Sequence, residues 1–378
     1  MDGKSGAFFR HARRSGLWPE AEAVHRSAVT KARAKLPWAA FAQLHQEAVR
    51  LAYDLWPDAE ADTWQGLSVF AIDGSKYRLP ASQALREAFD PDSGLDHPGM
   101  GHYPECLVST VYDVFRRLPM ARRVRPIAKA NEREELKALL PQIPPGGVLL
   151  LDRGYPSYAL IDFLNQHYQG SWLFRCPAQS TFPAVEAFVR SGCTEAMITL
   201  ESAATPRLSV RAIRLVSPVG TASVVLTHLM EAAGCSADAV IALYFRRWAV
   251  ETHYRDENTS LDIETFHSQT ENGIHQELLA MLIMAVSTRL LMRLATDPEP
   301  PSRAEPQFKQ AMISLAQEAA VLTPHCPQLA LVIFSELLHE MARVLYYRPK
   351  VPRPSQPRVC KKPVNKWQME RPKRMAGA

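Results

Sequence analysis

Two short apolar runs constrain this chain more than any other feature: Leu67-Ser68-Val69-Phe70-Ala71-Ile72 and Val148-Leu149-Leu150-Leu151. Neither alternates apolar with polar residues, as a strand with one wet face does, and both are too short for a core helix. Each therefore predicts a strand buried on both faces, inside a sheet covered by helices. Both runs end in an acid followed closely by glycine, Asp73-Gly74-Ser75 in one case and Asp152-Arg153-Gly154-Tyr155 in the other. Taken singly, an Asp-Gly after a strand is a turn, and an Asp-Arg pair is a structural ion pair. Two buried strands that each deliver an acid to the edge of one sheet form a more specific pattern.

The surrounding segments extend this frame into a mixed α/β core over residues 67–178. Leu107–Tyr112 and Arg122–Ala128 read as strands joined by a turn near Arg116-Arg117-Leu118-Pro119. Glu132–Leu140 reads as a short helix capped by Asn131, with acids in its first turn. Pro144-Pro145-Gly146-Gly147 breaks the chain, Tyr158–His167 is a helix and Ser171–Arg175 a further strand. Residues 179–236 form a β-rich insertion, with strands at Ala196–Leu200, Leu208–Ile213 and Ser223–Thr227. Residues 237–296 are helical. The N-terminal region, 1–66, is helical and divided by Pro37; its basic stretch His25–Arg33 is either a DNA-reading helix or an ordinary packing helix. A proline-rich linker opens the helical region 297–347, and a tail follows at 348–378.

The helix that begins near Ser236 holds the densest polar pattern. Tyr244, Arg247, Glu251, Arg255 and Asn258 recur at three-to-four-residue spacing, while Ile241, Phe245 and Trp248 supply a buried apolar stripe. No Gly or Pro interrupts 244–258, so one continuous helix is expected. Arg247 and Glu251, at i and i+4, suit a helix salt bridge worth ~0.3–0.5 kcal/mol. They also suit a site in which the carboxylate has another partner.

Charge and cysteine usage narrow the classes. The tail from Arg348 to Arg374 carries ten basic residues and one acid, Glu370, for a net +9; the whole chain is +5, so the remainder is −4. Pro349, Pro352, Pro354, Pro357 and Pro363 prevent a regular helix there, and such an arm suits either a polyanion or simple solvation. Six cysteines without a CxxC pair argue against a zinc site or a disulfide framework, and a reduced, cytoplasmic chain is expected. No secretory signal is expected at the start, and no transmembrane span, because Ser287, Thr288, Arg289 and Arg293 interrupt the apolar segment 278–294.

Asp73, Asp152 and Glu251 thus bring oxygen donors from two strand ends and a helix, without thiolates or a histidine cluster. That is the donor set of hard divalent cations, and paired cations in such a site serve phosphoryl transfer. Arg153, Arg247 and Arg255 are suited to phosphate oxygens.

Three motifs resemble those of DDE transposases of the insertion-sequence-four family. Ala71-Ile72-Asp73-Gly74-Ser75 is similar to the first-aspartate motif, and Leu150-Leu151-Asp152-Arg153-Gly154-Tyr155 to the second. Tyr244, Arg247 and Glu251 match the Y-(2)-R-(3)-E-(6)-K signature, whose final Lys is Asn258 here. The resemblance implies a ribonuclease-H-like mixed sheet core with a mostly-β insertion, for which the 98 residues between Asp152 and Glu251 leave room. It implies Asp73, Asp152 and Glu251 as catalytic ligands of two Mg²⁺ ions, with Mn²⁺ as a substitute. Tyr244, Arg247, Arg255, Asn258 and Arg153 would contact DNA. The implied partners are transposon end repeats, target DNA and a second copy of the chain on paired ends, in a bacterial cytoplasm and at the nucleoid. Asn258 removes an expected cation and keeps open a non-catalytic, DNA-binding descendant; a stand-alone endonuclease is the third reading.

Overall fold

The apolar runs become the two central strands of an eight-stranded mixed sheet. The computed structural model describes residues 24–56, 60–91, 103–179, 182–203, 205–216, 222–229, 234–260, 266–295, 304–319 and 327–347, with 9, 10, 12–14, 16 and 18–22. The chain divides into two compact units, one of 57–77 and 105–259, the other of 1–56, 78–104 and 260–378.

The first of these units carries the sheet. Its strands are β1 (Val69–Arg78), β2 (Glu105–Asp113), β3 (Leu118–Pro126), β4 (Val148–Leu151), β5 (Ser171–Pro177), β6 (Glu195–Ser202), β7 (Thr205–Val216) and β8 (Ala222–Thr227), in the spatial order β3-β2-β1-β4-β5-β8-β7-β6. β1, β4 and β5 run parallel, with Val69 opposite Val148 and Leu149 opposite Trp172; β2 and β3 form an antiparallel hairpin. Val69–Ile72 and all of β4 are buried, as continuous apolar runs require. The fold is thus the mixed α/β class expected from sequence, with flanking helices.

Two details differ from the sequence reading. β1 does not stop at Ile72 but runs on to Arg78; what ends near the acid is its parallel pairing with β4, whose last register pair is Ala71 with Leu150. The strands of 195–227 lie where composition put them, yet they continue the main sheet, because β8 pairs antiparallel with β5. A helix precedes them at Pro183–Ser191, ended by Gly192 at φ 77°, a left-handed cap that glycine adopts without cost.

Local chemistry explains the helices that flank the central strands. Asn131 accepts the Arg133 N–H at the start of Glu132–Leu139, and Ser157 accepts the Leu160 N–H at the start of Tyr158–His167.

The second unit is helical, around a 25-residue helix at Glu271–Ala295. That helix is long and apolar enough to cross a membrane by composition alone. Here Ile274, Leu278, Leu282 and Val286 are buried, and it packs on Trp38–Leu55, Phe308–Glu318 and Pro327–Arg343 as a core helix. The basic stretch near His25 forms the helix Arg26–Lys35, whose Arg33 bonds Gln276 and Glu277. Ala304–Pro306 and Leu345–Tyr347 pair as a short antiparallel two-stranded sheet that the sequence did not suggest. Segment 296–303 and the basic tail 348–378 lie outside the described residues.

Candidate active site

The register of the parallel strands sets the depth of the first two acids. Asp73 and Asp152 each lie two residues beyond the Ala71–Leu150 pair, so they leave the sheet at matching depth. Asp73 Oδ1 accepts the Gly74 N–H at 2.9 Å, and Asp152 Oδ1 accepts the Gly154 N–H at 2.8 Å. Each carboxylate is therefore oriented by a glycine N–H just after it, Gly74 within β1 and Gly154 in the turn after β4.

The third acid arrives on a helix that is not continuous. Ala237–Phe245 ends at Arg246, and a second helix, Trp248–Ser260, begins after a turn at Arg246-Arg247. No Gly or Pro marks this break. The burial pattern is also inverted relative to expectation. Phe245 and Trp248 are 46% and 49% exposed, whereas Tyr244, Arg247, Val250 and Tyr254 are buried. Stripes at helical spacing identify two faces but not which one is wet, and here the polar stripe faces inward.

Arg247 links the acids. Its Nη2 is 2.6 Å from Glu251 Oε1 and its Nη1 is 3.5 Å from Asp73 Oδ2. Tyr254 fixes the same helix to the sheet by donating its hydroxyl hydrogen to the Asp73 carbonyl at 2.7 Å, with the Val108 carbonyl 3.1 Å away. Burial, which Arg247 and the Gly74 N–H only partly offset, pushes the Asp73 carboxyl up to about 6; the charges of Asp152 and Glu251 add to the rise. One arginine does not balance this many carboxylates.

A fourth acid, Glu132, is present that the sequence did not single out. Its carboxylate lies beside both strand-end glycines: a Cβ on Gly74 would stand 2.9 Å from Glu132 Oε1, and one on Gly154 would stand 3.5 Å from Glu132 Oε2. Burial, then the Asp152 charge, raises its pKa, against the opposing charge of Lys76. An acid in the first turn of a helix is so common that sequence alone does not distinguish Glu132 from Glu134 or Glu135.

A second buried polar cluster was also missed. Glu257 receives Arg122 at 2.7 Å, His253 at 3.3 Å and the Tyr77 hydroxyl at 3.2 Å, while Arg122 Nε donates to Thr110 at 3.1 Å. Tyr112 stacks on His253 with ring centroids 5.0 Å apart. This cluster fixes the rotation and height of the helix that presents Glu251.

Of the residues read as DNA contacts, Arg153 and Arg255 are exposed, while Tyr244 and Arg247 are buried at 1% and 7% exposure. The Asn258 side chain lies outside the described residues.

The pattern that defines the transposase DDE domain matches residues 64–287, more than half of the chain and all three acids. This chain belongs to that family. The chain is 23% identical over 270 residues to transposase InsG for insertion sequence element IS4 of Escherichia coli (strain K12), covering 68% of this chain. The chain spans 59% of that relative's length. Among solved structures, a cryo-EM structure of the piggyBac transposase synaptic complex with hairpin DNA aligns at a TM-score of 0.40 and 10% identity, covering 76% of this chain and 59% of that one.

The DDE domain's donor set fits a hard divalent cation in its chemistry, with carboxylate oxygens and no sulfur or imidazole among them. Among the described residues no three acids are drawn as close as a bound ion would hold them. Between Asp73 and Glu251 the Arg247 guanidinium stands in the bridging position.

Proposed function

We propose that this chain is an insertion-sequence transposase that cuts DNA at the element's ends and joins the freed 3′-hydroxyl to target DNA. The observation that carries the reading is that buried Arg247 joins Asp73 to Glu251 while the Asp152 charge also acts on Asp73, inside the span matched by the transposase DDE domain. Asp73, Asp152 and Glu251 would hold Mg²⁺, two ions for which Mn²⁺ substitutes; such ions activate an attacking oxygen and stabilise a leaving one.

The chain's own residues prepare that chemistry. Gly74 and Gly154 orient one oxygen of each aspartate through their N–H groups. Arg247 keeps Asp73 and Glu251 together before a cation arrives, and Tyr244, buried beside it, limits its movement. Arg153 and Arg255, exposed on the same unit, would take DNA phosphates, and Asn258 offers a hydrogen bond but no charge. The basic tail adds further phosphate contacts, and two copies of the chain act on paired ends.

The test is a cleavage and joining assay on DNA carrying the element's own ends, with Mg²⁺ or Mn²⁺. Cut ends that join to target DNA are expected, and Asp152→Ala or Glu251→Ala should abolish cutting while leaving DNA affinity largely intact. DNA that is bound but never cut would refute the catalytic reading and favour a DNA-binding descendant, which Asn258 at the signature lysine position already suggests. Ends that are cut yet never joined would instead identify an endonuclease.

A further inference from the structure

We propose that Glu132 is a fourth carboxylate of the cation site, an inference that rests on the metal-dependent reading above. Three observations place it there.

The first is steric. Gly74 does not need glycine for its backbone, since its φ is not positive; only Gly16, Gly66, Gly146, Gly192 and Gly234 are in that class among the described residues. What a side chain at 74 would meet is the Glu132 carboxylate at 2.9 Å and Leu107 Cδ1 at 3.0 Å from the position of a Cβ, so one or the other would have to move. At Gly154 the same construction meets Asp152 Oδ1 at 3.2 Å and Glu132 Oε2 at 3.5 Å. The Glu132 carboxylate thus lies beside the glycines that follow both aspartates, one oxygen close against Gly74 and the other in ordinary contact distance of Gly154.

The second concerns partners. Of the three acids in that first helical turn, Glu134 pairs with Lys137 at 2.8 Å, and Glu135 with Arg123 at 2.7 Å and Arg125 at 3.2 Å. Glu132 has no hydrogen bond or ion pair among the described residues, although it is partly buried. A partly buried carboxylate without a partner is costly, and a cation shared with Asp152 would remove that cost. Its position is also fixed by its neighbour. Arg133 clamps the loop after Asp152 by donating to the Gly154 carbonyl at 3.0 and 3.2 Å and to the Pro156 carbonyl at 3.2 Å.

The third is the Tyr155 phenol. It is wholly buried, its hydroxyl has no hydrogen-bond partner, and the carboxylate charges acting on it are those of Glu132, Asp73 and Asp152. A buried hydroxyl without a partner, within the field of these three carboxylates, marks a polar interior behind the aspartate loops rather than a sealed apolar one.

Direct cation binding tests this without DNA or turnover. Mn²⁺ binding to the full chain is measured by electron paramagnetic resonance for wild type, Glu132→Gln, Glu132→Asp, Glu134→Gln and Asp152→Asn, with thermal midpoints in EDTA recorded for each. Glu132→Gln should weaken Mn²⁺ binding by about 10–100-fold, the range seen when a group supporting a metal site is removed. Glu132→Asp should recover part of it, and Glu134→Gln should bind as wild type. If Glu132→Gln binds like wild type while Asp152→Asn does not, Glu132 is outside the site and the metal reading stands. If wild type itself binds no Mn²⁺, the metal reading falls and this assignment with it. Should Glu132→Gln unfold, Glu132→Ala takes its place, and wild-type Mn²⁺ affinity in that folded variant would overturn the assignment.

Discussion

Asp73 and Glu257 are both buried acids held by an arginine, yet the protein treats their charges in opposite ways. Burial raises Glu257, but Arg122 and His253 outweigh it and bring the carboxyl down to about 2. At Asp73 burial prevails over Arg247, and Asp152 and Glu251 push further in the same direction, to about 6. The difference lies in the local ratio of charges. Around Glu257 one acid meets Arg122, His253 and Tyr77; around Asp73 two acids, Asp73 and Glu251, share Arg247, and the Asp152 charge also acts on Asp73. The first cluster meets its one acid with an arginine, a histidine and a hydroxyl, and holds a helix in place. The second is shorter of positive charge, as the cation site proposed above requires.

The comparison breaks most visibly by mutation. Glu257→Gln leaves Arg122, about 1% exposed, without its counter-charge, and should cost about 3–5 kcal/mol in denaturant unfolding. A loss below about 1 kcal/mol would mean that the cluster does not hold the helix.

A pH series of the same unfolding measurement, in EDTA, separates the two acids by sign. Asp73 has a folded pKa above its unfolded value of 3.8, so the folded state keeps a proton that the unfolded state has released between there and about 6. Its contribution therefore falls as pH rises through that window. Glu257 behaves oppositely: its stabilisation is present above 4.5 and is lost as pH falls towards 2. Asp73→Asn should accordingly match wild type below pH 4 and exceed it progressively up to pH 7, by on the order of 3 kcal/mol. An Asn variant less stable than wild type at pH 7 would contradict the charge imbalance.

The smallest effect concerns the exposed arginines. Arg153→Ala and Arg255→Ala should each lower the salt slope of DNA binding by about 0.9 for every phosphate the arginine neutralises, without altering stability. Unchanged slopes would take them off the DNA path.

How far the sequence could be read follows from the range of the interactions. The buried runs of β1 and β4 were legible because a buried strand records its environment in every residue, and Asp73 and Asp152 stand immediately beyond those runs, although β1 itself continues to Arg78. Glu251 was legible from the spacing to Tyr244 and Arg247. The pairing of β8 with β5 was not, because no local pattern records which distant strand an edge meets. The wet face of the Glu251 helix was misassigned because Arg247, His253 and Glu257 are buried through partners on other elements, Asp73, Arg122 and Tyr77. Phe245 and Trp248 remain half exposed. Glu132 escaped for a similar reason: only the tertiary approach of Gly74 and Gly154 separates it from an ordinary first-turn acid.

The central claim is that the Asp73–Asp152–Glu251 site lacks positive charge that a divalent cation supplies. The most direct measurement is the thermal unfolding of the metal-free chain against added Mg²⁺, for wild type and Asp152→Asn. Wild type should gain about 2.7 kcal/mol when Mg²⁺ reaches a hundredfold excess over its Kd, while Asp152→Asn should show little or no gain. Equal midpoints for wild type with and without Mg²⁺ would contradict the account.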